Sequence, residues 1–175
     1  THILLPVFLL EIFRNLFFKD HKKFPRYYIL IVALGGVLPD FDIGIFYILY
    51  FFGFSIEQVH RTVLHTIFVP LLFFLVGMIF YFTGTKIKEF GIRHLKISTA
   101  FFILAFGTFT HLALDTIFSG YIMPLYPILD FRIGLNLISV FPTPMHGLIL
   151  GTLDGILLVL WLIWMEFKLK IPRYF

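Results

Sequence analysis

The sequence predicts an all-α fold: a polytopic membrane helix bundle with about five spans and one short apolar hairpin or re-entrant segment. The hydrophobic fraction is 59% and only 14% of the residues are charged, whereas soluble domains are nearer half apolar and a quarter charged. Apolar runs recur along the whole chain, and most basic residues lie between them, as in the loops on one side of a membrane. We therefore treat residues 1–175 as one integral-membrane domain.

The expected spans follow the apolar runs, which cover roughly 3–18, 27–39, 43–54, 63–82, 97–114 and 147–166. The run 27–39 would give a helix of about 20 Å, shorter than the roughly 30 Å hydrocarbon core. We therefore expect this helix to end in the outer half of the membrane, with 43–54 forming the hairpin or re-entrant piece. A long connection over 116–145 then leads to the last helix.

The basic residues predict the orientation of the chain. Eleven of the 14 Lys and Arg residues fall in three segments, 19–26, 86–96 and 168–173. The positive-inside rule places these loops and the C-terminus on the cytoplasmic side of the cell membrane. Nine His and Asp residues then gather near the opposite, extracytoplasmic face: His2, His60, His65, His111, His146, Asp40, Asp42, Asp115 and Asp130. Because only Lys and Arg set the orientation, this gathering predicts one polar site there.

The stretch "LPDFD" places Asp40 and Asp42 in apolar surroundings. A carboxylate is costly there unless something pairs with it. At the C-terminus of the expected helix the dipole disfavours negative charge, so a bound cation is the natural partner. The alternative is a turn after Pro39 in which Asp40 caps the next helix.

Two further stretches carry candidate metal ligands. In "HLALD", His111 and Asp115 stand four residues apart, share a helix face and could hold one ion. Alternatively, Asp115 only caps the helix or accepts a hydrogen bond. In "EQVHRTVLHT", His60 and His65 are about 140° apart around a regular helix. Either a helix begins between these two histidines or they serve different roles.

The remaining candidates are more isolated in the sequence. His2 is a possible ligand or a frayed terminal histidine, while His146 and Asp154 are weaker candidates. An aspartate within a membrane span is rare without function, although a hydrogen bond within the bundle would also explain Asp154. Arg61 and Arg132 are the basic residues expected on the outer side, and arginine suits phosphate contact. The pair Glu57 and Arg61 could instead be a helix salt bridge.

The chain has no cysteine, so disulfides and thiolate metal sites are excluded. Imidazole and carboxylate ligands favour divalent ions, with Zn²⁺ the first expectation and Mn²⁺ or Mg²⁺ alternatives. We expect one to three ions, bound by some or all of His2, Asp40, Asp42, His60, His65, His111 and Asp115.

In order along the chain, "TH", "LPDFD", "HRTVLHT" and "HLALD" followed by "PLYP" resemble the YdjM-like family of membrane-bound proteins regarded as metal-dependent hydrolases. That family is distantly similar to the all-helical zinc-dependent phospholipase C and zinc nuclease superfamily. The resemblance covers roughly residues 1–130. It implies metal-binding roles for His2, Asp40 or Asp42, His60 or His65, and the pair His111 and Asp115.

These observations predict a membrane-bound, metal-dependent hydrolase, a phosphoesterase that acts on a lipid or lipid-linked phosphate through metal-activated water. Asp40, Asp42, Arg61 and Arg132 are the expected catalytic residues. The alternative is a proton or metal-ion transporter, because intramembrane His and Asp also mark ion pathways. A non-enzymatic scaffold with a structural metal is a third hypothesis. The composition excludes a soluble nucleic-acid binder and leaves the oligomeric state open.

Overall fold

The computed structural model describes residues 1–18, 24–86 and 91–169, and this part of the chain is helical. Its α-helices are α1 (Leu4–Phe17), α2 (Tyr27–Val37), α3 (Phe41–Leu49), α4 (Ile56–Val59), α5 (Phe68–Lys86), α6 (Gly91–Leu114) and α7 (His146–Leu169). Among the described residues, the β-structure consists of one isolated antiparallel bridge between Ile122 and Ile133. The all-α prediction is therefore confirmed.

Within the described ranges, four helical segments are long and apolar enough to cross a membrane: Tyr27–Phe52, Phe68–Thr85, Ile92–Ser119 and Thr143–Phe167. Helix α1 has 14 residues, which span about 21 Å and fall short of the roughly 30 Å hydrocarbon core. The chain is thus a multi-pass membrane protein with four candidate spans and one short apolar helix, where the sequence predicted about five spans.

The structure differs from the sequence-based expectation around the aspartate pair. Helix α2 continues through a 3-10 turn, Leu38–Asp40, directly into α3, so that 43–54 belongs mostly to a continued helical segment instead of a separate hairpin. Pro39 lies at the start of the 3-10 turn, a position that tolerates proline. Asp42 consequently lies in the first turn of α3.

Helix α6 is the centre of the bundle and packs against α5, α2 and α1. Its approach to α2 is close because Gly35 and Gly107 face each other. A Cβ on Gly107 would lie 2.6 Å from the carbonyl oxygen of Val32, and a Cβ on Gly35 would lie 2.8 Å from that of Leu104. This contact holds the end of α2, and the 3-10 turn that follows it, against the part of α6 that carries the site.

Replacing Gly107 by alanine should lower the thermal stability of the protein. The new methyl group would meet backbone atoms, which cannot move without separating the two helices, and overpacking of this kind costs about 1–3 kcal/mol. Gly44→Ala is the matched control, because a Cβ on this α3 glycine meets nothing within 4 Å. The measurement is the unfolding temperature in detergent. Equal temperatures for the two variants would contradict the close helix contact.

Candidate metal centre

Four side chains from three separate segments converge at one end of the bundle. His111 lies at the end of α6 and Asp115 begins a π-helical turn, Asp115–Ser119, that continues it. His65 comes from the segment between α4 and α5, and Asp40 comes from the 3-10 turn between α2 and α3. The first three are buried, whereas the Asp40 side chain is 36% exposed. The predicted pairing of His111 with Asp115 on one helix face is present.

The donor atoms of His65, His111 and Asp115 are spaced as the ligands of one ion would be, and Asp40 approaches the two histidines. His65 Nε2 lies 3.3 Å from His111 Nε2, and Asp115 Oδ2 lies 3.3 Å from His65 Nε2 and 3.6 Å from His111 Nε2. Asp40 Oδ1 lies 3.7 Å from His65 Nε2 and 3.5 Å from His111 Nε2. In a tetrahedral zinc site with bonds of 2.0–2.1 Å, ligand atoms are about 3.3–3.4 Å apart. The residues therefore fit a divalent ion.

The other ring nitrogens of the two histidines are directed by supporting groups. His111 Nδ1 lies 2.7 Å from the Gly36 carbonyl oxygen, so it must be the donor, which leaves a lone pair on Nε2 for a metal. His65 Nδ1 lies 2.9 Å from Asp42 Oδ2. This contact is short but lacks hydrogen-bond geometry, so the buried nitrogen has no hydrogen-bond partner among the described residues. The nearby Asp42 carboxylate favours a proton on Nδ1, and this tautomer would leave Nε2 free to bind an ion.

The structure separates the roles of Asp40 and Asp42, which the sequence could not do. Asp42 Oδ1 accepts a hydrogen bond from His60 Nδ1 at 2.9 Å, and Asp42 Oδ2 accepts one from the backbone N–H of Arg61 at 3.0 Å. Because both oxygens of Asp42 contact supporting groups, this carboxylate orients histidines. Asp40 is the residue of the pair that places an oxygen among the donor atoms.

The spacing of His60 and His65 is explained by a helix that ends before them. Helix α4 ends at Val59 and His60 has an extended backbone, so both histidines reach Asp42 from a non-helical segment. Asp40, His60 and His65 form a second group whose donor atoms lie within 4.8 Å of one another. His2 joins Asp40 and His111 in a third such group. These overlapping groups leave the number of ions open.

Two histidines at this site have strongly shifted pKa values. Burial alone would lower the pKa of His65, but the carboxylates of Asp115, Asp40 and Asp42 outweigh burial and raise it to about 10. Burial, aided by the neighbouring His111, lowers the pKa of His2 to about 4. Without an ion, His65 therefore carries a proton at neutral pH, and that proton offsets part of the negative charge of the carboxylates.

Metal binding is expected to release a proton from His65, because a metal ligand must be a neutral imidazole. The affinity for Zn²⁺ should rise about tenfold per pH unit between pH 7 and 9, below the His65 pKa of about 10. Calorimetric titration in two buffers of different ionisation enthalpy counts the released protons. His146→Ala, which leaves the donor group intact, is the matched control and should keep this proton release. Zinc binding without proton release at pH 7 would contradict the expected charge on His65.

The family comparison agrees with the residues assembled here. The profile of the YdjM inner membrane protein family matches residues 1–170. This chain belongs to that family. The match includes the four candidate spans and every residue of the cluster. No curated protein and no solved structure matches the chain significantly. The YdjM family description agrees with a multi-pass membrane protein and names no reaction.

Three candidates lie apart from the four donor atoms in this YdjM-family chain. His146 Nε2 contacts the Phe141 carbonyl oxygen at the exposed start of α7, and Arg132 is exposed in the long connection. Asp154 lies in α7, contacts the nitrogen of Thr1, and lines a cavity of about 410 Å³ together with His2 and Asp40. Asp154 is therefore near the cluster, and no described contact of the cluster involves His146 or Arg132.

Some parts of the site had no signal in the sequence. The Gly36 carbonyl that orients His111 is a backbone group, so its role depends on the contact between α2 and α6. The π-helical turn at Asp115 is equally invisible in the sequence, although such turns are frequent at functional sites. The side chain of Glu57 lies outside the described residues, and the guanidinium of Arg61 faces Asp115.

Proposed function

We propose that this YdjM-family protein is an integral-membrane, metal-dependent hydrolase whose substrate is a phosphoester of a lipid or lipid-linked phosphate. The observation that carries the proposal is the convergence of two imidazole nitrogens and one carboxylate oxygen at ligand spacing, with an Asp40 oxygen near both nitrogens. One of these residues, Asp40, also lines a cavity. A purely structural zinc site is usually closed on all sides, whereas a catalytic site keeps one open position.

In this proposal His65, His111 and Asp115 are the permanent ligands, because all three are buried. Zn²⁺ is the first expectation for this donor set, with Mn²⁺ or Mg²⁺ as alternatives. A divalent ion held there would lower the pKa of a bound water and would polarise a phosphoryl oxygen. Asp40 is the half-exposed carboxylate on the cavity side, so Asp40 Oδ1 is placed to accept a proton from the attacking water as general base.

The cavity supports a substrate that reaches the site from the bilayer. Its volume is about 410 Å³, within the range of small-molecule sites. Its walls combine apolar side chains, including Ile3, Leu4 and Val37, with the polar groups of His2 and Asp154. Val37 and Asp154 belong to candidate membrane spans. A lipid substrate with its head group at the polar end of the cavity and its acyl or prenyl chain along the apolar wall would match this lining.

The transporter alternative is less well supported. Ion pathways need polar groups spaced across the membrane, whereas the buried charged side chains described away from the cluster, Glu11 and Arg14, lie together in α1. There Arg14 donates to Glu11 Oε1 at 3.2 Å and to the carbonyl oxygen of Phe24 at 2.8 Å, and Asn15 also donates to Glu11 Oε1. This pairing links α1 to the start of α2 and gives a local structural reason for these charges.

The test uses the purified full chain in lipid nanodiscs. Phosphate release from phosphatidic acid and from a polyprenyl phosphate is measured as prepared, after chelation, and after addition of Zn²⁺, Mn²⁺ or Mg²⁺. We expect activity to disappear on chelation and to return with metal. The hydrolase proposal fails if the metal-loaded protein releases no phosphate from either lipid. If that protein also carries ion flux in proteoliposomes, the transporter is the better description.

A further inference from the structure

Arg61 has an unusual backbone conformation beside the metal centre. It lies between His60 and Thr62 with φ of 60°, in the left-handed region that residues other than glycine rarely adopt. Such a conformation persists only where the surrounding structure holds it, and it is concentrated at functional sites. The backbone N–H of Arg61 donates to Asp42 Oδ2 at 3.0 Å. The left-handed turn therefore directs this N–H towards the carboxylate that supports His60 and His65.

The side chain of Arg61 reaches the other carboxylate of the site. Its Nη1 donates to the carbonyl oxygen of Ser119 at 2.9 Å, and its Nη2 donates to Asp115 Oδ1 at 3.4 Å. Asp115 Oδ2 is the oxygen that faces His65 and His111. The guanidinium thus contacts one oxygen of Asp115 while the other oxygen is directed at the expected ion. One residue joins the segment that carries His65 to the end of α6.

Gly120 leaves the space that this guanidinium occupies. Its φ is 133°, and a Cβ at this position would lie 2.9 Å from Arg61 Nη1. A side chain at position 120 would therefore have two effects. It would strain the backbone, and it would displace the guanidinium of Arg61. The carbonyl oxygen of Ser119 accepts the hydrogen bond from Arg61. Gly120 directly follows Ser119, and its missing side chain leaves room for the guanidinium.

We propose that Arg61 is a positioning residue that sets the metal affinity of the centre by holding Asp115 and Asp42 in place. The inference rests on the metal centre of the proposed function, but it does not depend on which reaction the centre performs. The sequence predicted a different role for Arg61, contact with a phosphate, because an arginine on the outer side suits that anion. The two roles differ in a quantity that is measurable without substrate.

The test is a competition titration with Zn²⁺ alone against a chromophoric chelator, on the full chain in detergent. Arg61→Gly keeps the backbone N–H and suits the left-handed conformation, so it removes the guanidinium alone. We expect this variant to bind Zn²⁺ about ten- to a hundredfold more weakly, the usual effect of losing a partner of a metal ligand. Arg61→Lys should recover part of the loss, and the exposed Arg132→Ala control should bind as the wild type does.

A double-mutant cycle that combines Arg61→Gly with Gly120→Ala is a second test of the positioning role of Arg61. Gly120→Ala should weaken Zn²⁺ binding in the wild type and add less in the Arg61→Gly background, since the contact with the guanidinium is then absent while the backbone strain remains. If Arg61→Gly fails to fold, Arg61→Lys decides the test, because a lysine cannot keep both contacts of the guanidinium and should bind Zn²⁺ more weakly than the wild type. Wild-type Zn²⁺ affinity in folded Arg61→Gly, or fully additive effects in the cycle, would overturn the positioning role. A wild-type protein that binds no Zn²⁺ would instead overturn the metal centre itself.

Discussion

Replacing His65 or His111 by alanine is expected to remove the bound metal. Both side chains are fully buried, and their Nε2 atoms lie 3.3 Å apart at the centre of the donor group. Loss of a supporting partner of a ligand typically costs 10–100-fold in metal affinity, so loss of a ligand itself should cost more than about a hundredfold. Elemental analysis after purification should then find the metal content at background and hydrolysis absent.

His146→Ala is the matched control, since it removes a histidine from the exposed start of α7 that contacts only the Phe141 carbonyl among the described hydrogen bonds. It should keep full metal content. His111→Gln is measured in parallel with His111→Ala. Its polar side chain can still reach the Gly36 carbonyl oxygen, which limits the loss of stability. Full metal retention in folded His65→Ala and His111→Ala would remove the basis of the proposed centre.

Asp40→Asn and Asp42→Asn are expected to fail in different ways, although the two residues stand one position apart. Asp40 faces the cavity and is the proposed general base, and such a group contributes about 10²–10⁴-fold to the rate. Asp40→Asn should therefore lose activity by that factor even when metal is saturating. Asp42 contacts His60, His65 and the backbone of Arg61. Asp42→Asn should weaken metal binding 10–100-fold and regain activity at high metal concentration.

The two variants control for each other, because each removes one negative charge from the same 3-10 turn and first turn of α3. The measurements are the metal dissociation constant and the rate of phosphate release at saturating metal. If excess metal rescues both variants equally, Asp40 is a further supporting group and another residue is the base. If it rescues neither, Asp42 takes part in the reaction directly.

The sequence predicted much of the site because its signals are local. The spacing of His111 and Asp115 specifies one helix face whatever the rest of the fold does. The concentration of histidines and aspartates on one side followed from the basic loops, and the structure brings His2, His60, His65, His111 and the aspartates Asp40 and Asp115 into overlapping groups. Burial of charge in an apolar chain also identified Asp40 and Asp42 as residues that need a partner.

The remaining features depend on contacts that no local pattern encodes. The continuation of α2 into α3 required a 3-10 turn at Pro39, a residue that the sequence analysis took as the end of a helix. The difference between Asp40 and Asp42 arises from which of them faces His111, and that is a contact between two segments far apart in the sequence. Arg61 and Asp115 are 54 positions apart in the sequence. No local spacing predicts a contact over that separation, so a helix salt bridge between Arg61 and Glu57 stayed open as an alternative.

The most direct measurement is an anomalous difference map at the zinc edge from crystals of the purified protein. We expect a peak about 2.0–2.2 Å from His65 Nε2, His111 Nε2 and Asp115 Oδ2, with Asp40 Oδ1 at the cavity side. A map from zinc-loaded crystals without a peak among these atoms, or with its strongest peak elsewhere, would contradict the metal centre.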